Sequence, residues 1–86
     1  MKDLKVEVFT SETCTKCSRV IDNLKELESE MDFELHVIDA IKDRKKALKH
    51  GVFSVPTVVI TNGDDDKKVL RGVLSREELA EELKNY

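Results

Sequence analysis

The sequence has no tryptophan, one proline, three glycines and four other aromatic residues among its 86 positions. No Pro/Gly-rich linker, repeat or low-complexity tract divides it, so residues 1–86 are expected to form one domain. A domain of this length buries only about 60–65% of the surface its unfolded chain exposes, which places its chemistry near the surface. An excess of positive charge is also missing. Fifteen Lys and Arg face eighteen Asp and Glu, for a net charge of −3. That balance argues against nucleic acid as a partner. The densest basic cluster, Lys42 to Lys49, reads as the solvated face of a helix. No apolar run is long enough to span a bilayer, so no membrane partner is expected. Met1 to Lys5 lacks a signal-peptide layout. The cytoplasm is the default location, and a monomer is the expected state. Cysteine is scarce: two residues, where a secreted disulfide-stapled scaffold usually has four, six or eight.

What is present alternates in period. Leu4, Val6 and Val8 alternate with Lys5 and Glu7, and Phe9 closes a strand over 4–10. Ser11 to Thr13 is a polar turn, and Ser11 or Thr13 is placed to cap a helix beginning around Cys14. Cys17, Val20, Ile21, Leu24, Leu27 and Met31 form one helical stripe, so Cys17 should face inward. A second strand covers 33–39, with Phe33, Leu35 and Val37 on one face. A short helix near Ile41 to His50 is weakly amphipathic through Ile41, Ala47 and Leu48, with Gly51 at its C′ position. Thr57 to Thr61 is a β-branched strand. Asn62-Gly63 opens a hairpin turn lengthened by Asp64, Asp65 and Asp66, and Lys67 to Arg71 returns. Ser75 and Glu78 match a capping box ahead of a last helix presenting Leu79, Ala80, Leu83 and Tyr86. The order βαβαββα predicts an α/β fold. The helix between the first two strands makes that pair parallel through a right-handed crossover. The last two strands are antiparallel, giving a four-stranded mixed sheet with helices on both faces.

The two cysteines, Cys14 and Cys17, sit where the first strand meets the first helix. A single short-range pair closes a tiny loop and adds little through chain entropy, so chemistry explains it better than stapling. A helix N-terminus offers unpaired N–H groups and a positive dipole end, and both favour a thiolate. Lys16 adds a positive charge that tunes the thiol pKa further. Cys14 is the expected nucleophile, and Cys17, one turn later, the resolving thiol. Three readings compete. The pair could be inert helix cysteines, with any groove serving as a redox-inert binding module. Zinc would need further ligands, and only His36 and His50 are soft enough, without ligand-pair spacing. A copper-type carrier opening with T-C-x-x-C would run βαββαβ and end in a strand, and it has no place for Val55-Pro56-Thr57. No metal site and no cofactor are therefore expected.

The segments V-E-V-F-T-S-E-T-C-T-K-C, Val37-Ile38-Asp39, His50 to Thr57, Asn62-Gly63 and Gly72 to Ser75 together resemble the thioredoxin superfamily across nearly the whole chain. The likeness is greatest to small archaeal-type thioredoxin- or glutaredoxin-like proteins. It implies the thioredoxin fold and a protein disulfide reductase that cycles Cys14 and Cys17 through a mixed disulfide on Cys14. It implies disulfide-containing protein substrates and either a reductase or glutathione as electron donor. It also implies a cis Val55-Pro56 bond, with Val55, Pro56, Thr57 and Gly72 binding substrate. The lesser alternative is a trans Pro56 that merely begins an edge strand. The chain departs from the family pattern in places. Thr13 replaces a Trp, and Thr15-Lys16 replace Gly-Pro or Pro-Tyr. Val8 stands where thioredoxins bury an Asp, and Leu35 falls near the position of its Lys neighbour, which leaves the proton acceptor of Cys17 open. Thr57 after the proline resembles thioredoxin more than glutaredoxin. Glutathione-dependent activity is the second functional expectation, and a C-x-x-C metal carrier the third.

Overall fold

The computed structural model describes residues 4–63 and 66–85, with Asp66 described through its backbone only. The elements are β1 (Leu4–Thr10), α1 (Cys17–Glu30), β2 (Glu34–Asp39), α2 (Arg44–Lys49), β3 (Thr57–Asn62), β4 (Asp66–Arg71) and α3 (Arg76–Lys84). They form one sheet in the order β2-β1-β3-β4. β1 and β2 are parallel, pairing Val6 with Leu35 and Val8 with Val37. β1 and β3, and β3 and β4, are antiparallel. The fold class is therefore that expected of the element order. Tyr86 on the last helix, and Asp64 and Asp65 in the hairpin, lie outside the described residues.

β1 and β3 are the inner strands, and helices cover both of their faces. Leu4, Val6 and Val8 meet Val20, Leu24 and Leu27 of α1 and Leu79 and Leu83 of α3 in the larger core. Each fully buried Val or Leu contributes about 1.5–3 kcal/mol, so the α1 stripe is the main anchor of the crossover. Arg76 ties the two helices at the surface, donating to Glu30 Oε2 at 2.6 Å. On the opposite face Phe9 and Val59 pack with Ala47 and Val52 in a smaller core.

Three local expectations change. α1 begins at Cys17, with Lys16 as its N-cap and no side-chain cap; the Ser11 carbonyl instead accepts the Cys14 N–H at 3.1 Å. A backbone turn thus occupies the place where a capped helical turn was expected. α2 is one turn and a half, and Ile41 and Leu48 stand 70% and 58% exposed. Its core contact runs through Ala47 and then Val52, beyond Gly51, whose positive φ of 71° turns the chain back onto the sheet. Val37 is half exposed because β2 is an edge strand. At α3 the capping box is complete: Glu78 N–H donates to Ser75 Oγ, and Ser75 N–H donates to Glu78 Oε1, each at 3.1 Å.

Candidate functional site

The chain leaves β1 at Thr10 and enters α1 at Cys17, and this short connection carries the two sulfurs. Cys14 and Cys17 are joined by a disulfide with a Cα separation of 5.5 Å, near the usual spacing for such a bridge. Their surroundings differ. Cys14 is half-buried, ahead of the helix, and Cys17 is 2% exposed at the head of the buried stripe. Position in the stripe explains the second and the Ser11–Cys14 turn the first. Lys16 is exposed at the N-cap, and α1 has no acidic residue in its first turn. The positive end of this helix is therefore not neutralised locally, which favours negative charge on a sulfur beside it.

A second loop faces the same end of the sheet. The Val55–Pro56 peptide bond is cis. Pro56 and Thr57 are buried and Val55 is half-buried. Thr57 Oγ1 donates to the Ser54 carbonyl at 2.7 Å, which fixes the loop from inside. The Pro56 carbonyl is already engaged, accepting the Gly72 N–H at 3.0 Å. Gly72 has φ 93° and open space around its Cα, so its backbone conformation rather than crowding requires glycine. Val55 differs from its neighbours: its N–H and C=O carry no hydrogen bond among the described residues. The structure thus links Pro56 with Gly72 directly. It also places Val55 and Ser11, the residue that holds Cys14, on one cavity of about 380 Å³. A second cavity, of about 500 Å³, is lined by Thr15, Lys16, Ser18, Arg19 and Val73. The redox connection lies between these two depressions.

Beneath Cys17 the sheet face is apolar. Val8 is fully buried in the larger core, and Leu35 packs against that core. Among the described residues the buried polar side chains are Glu7, Thr10 and Thr57. Glu7 points to the other face of β1. There its carboxylate lies 3.0 Å from Lys46 Nζ and 3.7 Å from His50 Nε2. The sequence places Glu7 at an alternate position of β1 and assigns it no role. A central strand covered on both faces has no solvent side, and that topology was the signal for a buried, paired carboxylate. Burial pushes the His50 imidazole below its ordinary value, outweighing the upward pull of Glu7, with Lys67, Lys46 and Lys49 acting in the same direction as burial. At the end of β2, the Lys42 N–H lowers the pKa of Asp39, with the Ile41 N–H adding to it. His36 pairs with Glu34 on its own strand at 3.1 Å, far in register from His50 on α2. Among the described residues, no group of three or more His, Cys, Asp or Glu side chains could hold a metal ion. No helix there is long and apolar enough to cross a membrane.

Comparison with known proteins agrees with this geometry. Residues 4–84 match the family model described as a thioredoxin domain. A probable thioredoxin of Methanothermobacter thermautotrophicus is 39% identical over 84 residues, covering 93% of this chain and 92% of the relative. A thioredoxin of Methanocaldococcus jannaschii is 34% identical over 86 residues, covering 98% and 96%. Among solved structures, a mutant thioredoxin from Halobacterium salinarum superposes with a TM-score of 0.92 at 21% identity, covering 98% of this chain and 74% of that one. Thioredoxin 1 from Thermosipho africanus gives 0.84 at 26% identity, covering 95% and 92%. These relatives lend no support to a glutathione-dependent enzyme or a metal carrier. A C-x-x-C disulfide between the first strand and first helix of this fold, matched along almost its whole length by proteins named for that chemistry, makes the chain a member of the thioredoxin family and a protein disulfide oxidoreductase.

Proposed function

We propose that the protein reduces disulfides of other proteins, with Cys14 as nucleophile and Cys17 as resolving thiol. The observation that carries this reading is the asymmetry of the pair: one sulfur half-buried at the surface, the other 2% exposed behind it. In the reduced protein the Cys14 thiolate attacks one sulfur of a substrate disulfide. A bond forms between Cys14 and that sulfur, the substrate bond breaks, and the second substrate sulfur leaves as a thiolate. Cys17 then loses its proton to water, since the sheet face below it offers no carboxylate, and attacks Cys14 Sγ. The Cys14–Cys17 bond forms, the first substrate sulfur leaves, and both substrate thiolates take protons from water. Two electrons have passed to the substrate. A reductase partner returns them to the protein disulfide.

Lys16 lowers the energy of the Cys14 thiolate through charge alone. The unpartnered N–H and C=O of Val55 fit an extended substrate segment added as a strand. Pro56, Thr57 and Gly72 hold Val55 in place through the bonds described above. The protein acts as a monomer in the cytoplasm. The test is insulin reduction. Cys14→Ser is expected to abolish it, and Cys17→Ser to accumulate a trapped mixed disulfide through Cys14. Wild-type turnover in both variants contradicts the assignment.

A further inference from the structure

The surface around the redox connection is charged opposite to the chain as a whole. Lys16 and Arg19 line the cavity on one side and Arg44 the cavity on the other, and no acidic side chain lines either. All three cations are exposed and make no ion pair among the described residues. Of the acids in this region, Glu12 pairs with Lys42 at 3.0 Å, Asp39 accepts the N–H groups of Ile41 and Lys42, and Asp22 and Asp43 line neither cavity. Acidic side chains line two other depressions, alongside Arg71, Arg76 and Lys84. Glu78, Glu81 and Glu82 line a cavity between β4 and α3, and Glu30, Glu77 and Glu81 one between α1 and α3. The Arg44 side also carries apolar surface, with Ile41 70%, Leu48 58% and Phe53 78% exposed around the same depression. Isolated exposed apolar residues are ordinary, but three converging on one cavity form a patch.

From this juxtaposition we propose that the protein selects disulfide-bearing segments that are acidic and carry a large apolar side chain beside the reactive cysteine. The inference rests on the reductase reading above and names the substrate class for it. The segment lies extended along Val55. Its apolar side chain enters the depression bordered by Ile41, Leu48 and Phe53, and its carboxylates face Arg44 on that side and Lys16 and Arg19 on the other. Exposed charges of this kind steer encounter and discriminate partners more than they add static affinity, so the preference depends on ionic strength.

The experiment uses the full chain with dithiothreitol as electron donor and three substrates. One is a disulfide-linked peptide with Glu and Phe flanking its cysteine, one the same peptide with Lys in place of Glu, and one a small neutral disulfide. At low salt the acidic peptide should be reduced about tenfold faster in kcat/KM than the basic one, chiefly through KM, and high salt should erase most of that ratio. Arg44→Glu should shift the preference several-fold toward the basic peptide. Phe53→Ser, at a position 78% exposed and so without a core to disrupt, should weaken both peptides alike. Equal reduction of the two peptides by wild type at low salt overturns the proposal while leaving the reductase reading intact. Failure to reduce even the neutral disulfide overturns the reductase reading, and the proposal with it.

Discussion

Helix α3 starts at Ser75, in extended backbone with φ −71° and ψ 164°, and its reciprocal capping box is followed by Glu77 and Glu78 in the first turn. Helix α1 starts at Lys16, with φ −73° and ψ −24°, no side-chain cap and no acid in the first turn. One chain therefore builds one helix start that satisfies its N–H groups and neutralises its dipole, and another that does neither. The first is the arrangement stability favours, worth about 0.5–2 kcal/mol for the cap alone. The second forgoes that stabilisation and leaves a positive field where two sulfurs sit. Its helical backbone at Lys16 also lacks the extended conformation an N-cap side chain uses to reach back. α2 also starts without a side-chain cap, so it is the cysteines at the start of α1 that turn an open helix end into a site.

The largest way to break the contrast is to make the start of α1 resemble that of α3. Lys16→Asp replaces the N-cap cation with an anion beside Cys14. Reduction of a neutral disulfide at pH 7 should slow by about two- to fivefold, through a raised thiol pKa and a smaller thiolate fraction. Stopped-flow alkylation rates against pH would check this, and an unchanged profile would detach Lys16 from the thiolate. The converse change, Ser75→Ala, should cost about 1 kcal/mol in denaturant unfolding and leave the alkylation profile of Cys14 where it was. An altered profile would mean that the two helix starts are coupled.

The smallest effect belongs to the third helix. α2 ends with Lys46 and Lys49 in its last turn and His50 as C-cap. The groups facing His50 are Glu7, Lys46, Lys49 and Lys67. Its folded pKa lies below the unfolded value of about 6.5, so in that window the unfolded chain binds the proton more readily. Stability should be full above the unfolded value and decline as pH falls through the window. His50→Gln should flatten this part of the pH profile. A slope that persists in the variant assigns it to another group.

Much of the architecture was legible because local signals agreed with one another. The Cys17–Leu27 stripe, the Ser75/Glu78 capping box and the β-branched run after Pro56 each named their element without reference to the rest of the fold. The errors arose where tertiary covering decides. Glu7 gave no sign of its role, because alternation alone does not reveal that Lys46 and His50 of α2 will meet its buried carboxylate. Ile41 and Leu48 looked like core because helical spacing does not reveal that the covering helix is only six residues long. The positions of the two sulfurs could be read from sequence, but the helix start could not, since the Ser11–Cys14 turn is a backbone bond with no side-chain signature. The basic rim of the site was likewise hidden, because Arg19 and Arg44 are far apart in sequence and only the fold brings them to the two sides of the redox connection.

The uncapped start of α1 should show itself most directly in the ionisation of Cys14. Ultraviolet thiolate absorbance of the reduced protein, titrated against pH with Cys17→Ser as the single-thiol reference, reads that ionisation. Half-ionisation is expected clearly below the value of about 8.5 for a free thiol. A midpoint at or above that value would contradict it.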